Sequence, residues 1–161
     1  MARTKKIPDG YTTATPLLVQ RDVARAIEFY KAAFGAEELF RMAGPDGKKT
    51  QHAQIRIGNS LIMLGAEGGP LNTKSPLALG GTPASIYLYV EDADDSFAKA
   101  KKAGAQVLQP VADMFWGDRY GKVLDPFGHE WGIATHQEDL SPAEMGERAK
   151  KFFAAQAAGT K

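Results

Sequence analysis

A chain of 161 residues, 43% hydrophobic and 24% charged, has the length and composition of one globular domain with a core of its own. It contains no cysteine, which removes disulfides and thiolate metal sites from consideration and leaves His, Asp and Glu as ligand types for any ion. The formal net charge is +1 and no basic stripe is clustered, so nucleic acid finds no electrostatic foothold and is set aside as a partner.

In chain order, the basic stretch Met1–Lys6 runs into Ile7-Pro8-Asp9-Gly10 rather than an apolar run, which argues against a signal peptide or membrane anchor. No later stretch is long and apolar enough to span a bilayer, and a soluble cytoplasmic protein is expected. A short apolar strand from Thr15 leads to Asp22, and Val23, Ala26, Ile27, Tyr30 and Phe34 then recur at helical spacing until Gly35. Three strands follow, over 37–42, 50–57 and 61–64, with turn signals at Gly44–Gly47 and Gly58-Asn59. Residues 67–82 are rich in Gly and Pro without apolar periodicity and are expected to link rather than to join a core.

The same design then repeats. A strand from Ser85 ends at Asp92, Ala93, Phe97, Ala100 and Ala103 mark a helix face closed by Gly104, and strands follow over 106–112, 119–124 and 130–135. Asp22 and Asp92 stand 70 positions apart, Gly35 and Gly104 69 apart. Each Asp suits an N-cap and each Gly the left-handed position after a helix. Beyond the repeat, Ser141-Pro-Ala-Glu144 forms a capping box, and Met145, Ala149, Phe152 and Phe153 recur on one face of a helix running from Pro142 to about Ala155.

Asp22 followed by Ala26-Ile-Glu-Phe-Tyr30 and Phe34-Gly35, with Leu124-Asp-Pro-Phe-Gly128 and Trp131 near the end, resembles the vicinal oxygen chelate superfamily of glyoxalase, bleomycin-resistance and extradiol-dioxygenase proteins. Phe115-Trp-Gly-Asp-Arg-Tyr120 ahead of Asp125-Pro-Phe-Gly-His129 resembles its PhnB-like branch. The resemblance implies an α+β fold in which two βαβββ modules, 11–66 and 83–137, form a curved mixed-sheet cup within a domain spanning 11–137, followed by a helical tail over 138–161. It also implies a small-molecule ligand and a homodimer. The scaffold hosts many unrelated activities, so function has to be argued from the site.

Alternation along the strands sorts the faces. Ile86, Leu88 and Val90 are expected under the helix, with Ser85, Tyr87 and Tyr89 toward the cup; Ala53, Ile55 and Ile57 form an apolar face, with His52, Gln54 and Arg56 opposite, lining the cup or facing solvent. The metal-dependent members imply ligands at four places, which fall here on Thr15, Met63, Ser85 and Gly132. A glycine, a thioether and two neutral hydroxyls do not hold Zn²⁺, Mg²⁺ or Fe²⁺, so no cofactor is expected, a divalent metal held by unrecognised ligands being the alternative.

Of the three histidines, His129 is expected to cap a turn and His136 to lie in solvent, which leaves His52 as the candidate general base or hydrogen-bond donor. Trp116 reads either as a loop platform beside the cup or as packing over a sheet edge. Arg119 reads either as a donor to a ligand carboxylate or phosphate, or as a partner of Asp118 or Asp125. Trp131, alternating with Ile133, is expected in the core. The expected ligand-binding set is therefore His52, Gln54, Arg56, Tyr87, Tyr89, Trp116 and Arg119. It supports a metal-independent binding, sequestering or carrier protein; the alternative is a lyase, isomerase or other enzyme using His52 or an unrecognised metal. Bleomycin sequestration is not favoured, because a cationic drug calls for an acidic groove and the chain is nearly neutral. Phe152 and Phe153 should dock on the domain or on a second subunit.

Overall fold

Two four-stranded mixed sheets of matching topology carry the fold, in the computed structural model that describes residues 4–159. Met1–Arg3 of the basic N-terminal stretch and Thr160–Lys161 of the tail lie outside the described residues. The first module comprises β1 (Leu17–Gln20), α1 (Val23–Phe34), β2 (Glu37–Ala43), β3 (Thr50–Ile57) and β4 (Ser60–Ala66). A short helix α2 (Pro76–Leu79) precedes the second, which comprises β5 (Ser85–Tyr89), α3 (Ala93–Ala103), β6 (Gln106–Asp113), β7 (Asp118–Leu124) and β8 (Glu130–His136). The helix α4 (Pro142–Gly159) follows. The sheet orders are β1-β4-β3-β2 and β5-β8-β7-β6, with the first pair of each parallel and the others antiparallel. The expected α+β architecture of two βαβββ modules and a C-terminal helix is the one observed.

The local signals act as read. Asp22 and Asp92 accept from the backbone N–H groups of Arg25 and Asp95, and Gly35 and Gly104 adopt φ of 64° and 112° after their helices. Ser141 Oγ and the Glu144 carboxylate close the capping box reciprocally. Irregular register in β2 between Glu38 and Phe40, and in β6 between Val107 and Ala112, marks bulges, which bend and twist a strand.

Both helices lie on one side of their sheets and pack against each other, so the modules share a core. Ala26, Ile27, Tyr30 and Ala33 of α1 and Ala93 and Ala100 of α3 are buried with Ile55, Leu64, Val123, Trp131 and Ile133. One buried carboxylate stitches the modules together. Asp125, in the β7–β8 turn, accepts from Tyr30 Oη of the first module at 2.7 Å, from Trp131 Nε1 at 2.9 Å, and from the backbone N–H groups of Phe127 and His129. Gln20 Nε2 donates to Tyr30 in turn. Burial first, and Asp125 after it, push the Tyr30 phenol well above its ordinary pKa, so it remains a donor.

Two expectations are corrected here. The connection over 67–82 is not a free linker: Ser75 is fully buried, caps α2 and bonds Glu67, while Pro76 packs onto the β7–β8 turn. A Cβ on Gly128 (φ 88°) would come within 2.9 Å of the Pro76 Cβ, so that turn is shaped to receive the connection. The second concerns the strand ends at β7 and β8, which reach Asp118 and His136 because these two residues pair directly.

Asp125→Ala is expected to lower the unfolding free energy by about 3–5 kcal/mol, since it strands two buried donors from different modules. Tyr30→Phe, which removes one hydroxyl from the same group, is expected to cost about 1–2 kcal/mol. Urea denaturation with an unchanged m-value checks both.

Candidate functional site

The face of each sheet turned away from the helices differs sharply between modules. In the first, direct cross-strand neighbours Leu17, Met63, Gln54 and Phe40 form one row, with His52 and Met42 beside it. Leu17, Phe40 and Met42 are 52%, 47% and 45% exposed, so this face is apolar and uncovered within the chain. His52, Gln54 and Arg56 do share it, opposite buried Ala53, Ile55 and Ile57, and Arg56 pairs with Glu37.

The second sheet is organised around a carboxylate. Asp118 opens β7 directly across from His136, and its side chain is 3% exposed. Its Oδ2 accepts from Tyr87 Oη, Tyr89 Oη and Trp116 Nε1, each at 3.1 Å, and its Oδ1 from His136 Nδ1 at 2.9 Å. Burial alone would raise the Asp118 pKa, but the hydrogen bonds from His136, Tyr89, Tyr87 and Trp116 outweigh it and hold the group below the usual carboxylate value. Burial first, and the Asp118 charge among the further causes, raise both Tyr87 and Tyr89, so neither phenol is a base at neutral pH.

Aromatic rings cover this carboxylate. Tyr87 lies 5.1 Å from Tyr89 and stacks on Tyr120 at 5.3 Å with 13° between planes, while Trp116 meets Tyr120 edge-on at 5.7 Å. The stack depends on Gly132, which pairs with Tyr87 across the β5–β8 ladder. A Cβ there would sit 2.8 Å from Tyr120 Cε2 and 3.1 Å from Tyr87 Cδ2. A cavity of about 730 Å³ opens beside Tyr87 and Tyr89, at the junction with the first module, where Phe34 and Asn59 form the opposite wall.

Tyr87, Tyr89 and Trp116 are thus brought together, whereas Arg119 is not among them. It points to the helix side, bonding Asp94 of α3 and Asp113, so its expected partners Asp118 and Asp125 are corrected as well. Among the described residues, no hydrogen bond, ion pair or ring contact joins His52, Gln54 or Arg56 to the Asp118 group. His136 is exposed, as expected, yet bonds Asp118 and also Asp139, and these partners raise its pKa. His129 is buried: its backbone N–H donates within the turn as expected, and its Nε2 lies 3.1 Å from the Val19 carbonyl. A carbonyl only accepts, so Nε2 carries the proton, and burial keeps the ring neutral. Asp118, Tyr120 and His136 were not among the residues expected at the site; the alternation of Asp118, Tyr120 and Lys122 along β7, which β8 separates from Tyr87 and Tyr89, was the signal.

The four positions that the resemblance assigns to a metal do not fit one. Thr15 Oγ donates to the Thr12 carbonyl, Met63 offers a thioether, Ser85 lies across from Glu130, which pairs with Lys122, and tyrosine rings fill the space over Gly132. Among the described residues, no three His, Asp or Glu side chains form a ligand cluster.

The family profile described as "Glyoxalase/Bleomycin resistance protein/Dioxygenase superfamily" matches residues 12–133. The chain belongs to this superfamily. An uncharacterised protein of Mycobacterium bovis is 44% identical over 136 residues, covering 81% of this chain and 88% of its own. TioX from Micromonospora sp. ML1 superimposes with a TM-score of 0.62 at 28% identity, over 81% of this chain and 100% of TioX. The bleomycin resistance determinant encoded on transposon Tn5 superimposes at 0.58 with 22% identity, over 80% and 100%, a likeness of fold. No helix among the described residues is long and apolar enough to cross a membrane.

His136 should titrate above the ordinary histidine value of about 6.5. Because its folded pKa is raised, its contribution to stability is complete below the unfolded value and is lost as pH rises through the folded one. Asp118→Asn should return the midpoint toward the ordinary value, followed by NMR of the imidazole protons.

Proposed function

We propose that this protein binds a small organic molecule against the aromatic face of its second sheet, without a metal ion, as a binding, sequestering or carrier protein of the PhnB-like branch. One observation carries the reading: at the position where metal-dependent relatives are implied to hold a ligand, Gly132 admits the Tyr87–Tyr120 stack instead. The result is a fixed π surface with oriented hydroxyls beside a cavity, which suits recognition of an organic molecule. A catalytic version of this reading places proton transfer on His136, whose Nδ1 is held by Asp118, rather than on His52, which no described partner orients.

Protein prepared without an affinity tag is expected to contain no stoichiometric Zn, Mn, Ni or Fe by elemental analysis. Gly132→Ala should disturb the ring stack and weaken ligand binding without creating metal affinity. One equivalent of metal, removed by chelation together with binding, would overturn the reading.

The exposed apolar row of the first sheet supports a homodimer in which a second copy covers it. The tail is not needed for this: Phe152 and Phe153 lie 5.1 and 5.8 Å from Phe115 of the same chain, and Arg148 pairs with Glu138. Sedimentation should therefore give a dimer at tens of micromolar. Phe40→Glu should produce monomers, and removal of residues 138–161 should not.

A further inference from the structure

The two halves of the repeat end their hairpins differently, and the difference makes a cavity. Ile57 pairs with Ser60 across a two-residue turn, whereas Leu124 pairs with Glu130 across residues 125–129. The longer turn seals its junction with the other module: His129 reaches the Val19 carbonyl at the free edge of β1, and Phe127 packs on Phe29 and Tyr30. At the equivalent junction, the short turn at Gly58-Asn59 leaves the free edge of β5 beside the cavity of about 730 Å³.

We infer that this cavity is a site for an organic cation, an ammonium carrying apolar substituents. The inference rests on the small-molecule reading above and names its ligand class. Among the described residues that line the cavity there is no Lys or Arg, while exposed Glu91 is an acidic member of the lining. Phe34 contributes an apolar wall, and Tyr87 and Tyr89, 42% and 66% exposed, carry rings whose negative faces attract cations. Tyr87 and Tyr89 donate their hydroxyl protons to Asp118, which leaves the phenol oxygens' remaining lone pairs to accept from a ligand. Asp118 adds its field from behind the rings, and His136 stands between Asp118 and Asp139, which offset its charge when it is protonated. The smaller adjoining cleft contains Lys31 and Lys99, but each is tied to carboxylates, Lys31 to Glu28 and Glu38 and Lys99 to Asp95. A net charge of +1 for the whole chain therefore misdescribes this location.

Three probes of nearly equal shape test the class on the full chain: choline, neutral 3,3-dimethylbutan-1-ol and anionic 3,3-dimethylbutanoate, titrated by NMR of the Tyr87 and Tyr89 ring signals. Choline is expected to bind about tenfold tighter than the alcohol, and the anion weakest. Glu91→Gln, at an exposed position, should reduce choline affinity about threefold or more and leave the melting temperature in place; Tyr89→Leu should reduce it as well, with a fall in melting temperature because it also removes a donor to buried Asp118. In Glu91→Gln the alcohol should bind as before. An alcohol that binds as tightly as choline, or variants that keep the preference, would overturn the cation class while leaving a small-molecule site standing. If none of the probes moves the ring signals, the cation class and the small-molecule site fall together.

Discussion

The Asp125 carboxylate is the constraint on which the arrangement of the modules depends. Its position is set locally, by two backbone N–H groups of its own turn, and used globally, by a phenol from α1 and an indole from β8. A carboxylate removed from water needs its lone pairs filled, and four donors fill them. Tyr30 and Trp131 must therefore converge on one point, which brings α1 under the second module and orders the aromatic core of Phe29, Phe34 and Phe127 around them. Each sheet consequently turns its other face outward.

Asp118 repeats the same chemistry on that outward face with another result. Its four donors also satisfy it, but all four are side chains on or beside the outer face of the second sheet, so the satisfied carboxylate becomes the anchor of a rigid aromatic surface. The first sheet has nothing comparable. Its corresponding row is Leu17, Met63, Gln54 and Phe40, with no carboxylate among them. A duplicated fold has thus been differentiated by a few residues: Tyr at 87 and Gly at 132, against Leu at 17 and Met at 63.

What the sequence made legible follows from locality. Asp22 and Gly35, or Asp92 and Gly104, act within one turn of chain, so the helices and the internal repeat could be read from spacing. Facing along β3 and β5 followed from alternation, and Tyr87 and Tyr89 were singled out on that basis, Trp116 as a loop residue beside them. What stayed hidden were contacts between distant segments. Asp118 looked like the neighbour of Arg119, yet strand geometry sends the two to opposite faces. His136 read as a solvent residue because nothing nearby in sequence announces its pairing with Asp118. Ser75 and Pro76 carry loop composition, and their burial follows from contacts with Glu67 and with the turn at Gly128.

The bond between Tyr30 and Asp125 joins residues 95 positions apart. A chain emerging from a ribosome completes its first module early, but the face of α1 that carries Phe29 and Tyr30 has no indole or turn to meet until residue 131 has been added. During that interval an aromatic surface stays wet and available to chaperones or to neighbouring nascent chains. For this protein, synthesis of the last strand, rather than formation of the first half, is the step at which folding becomes secure.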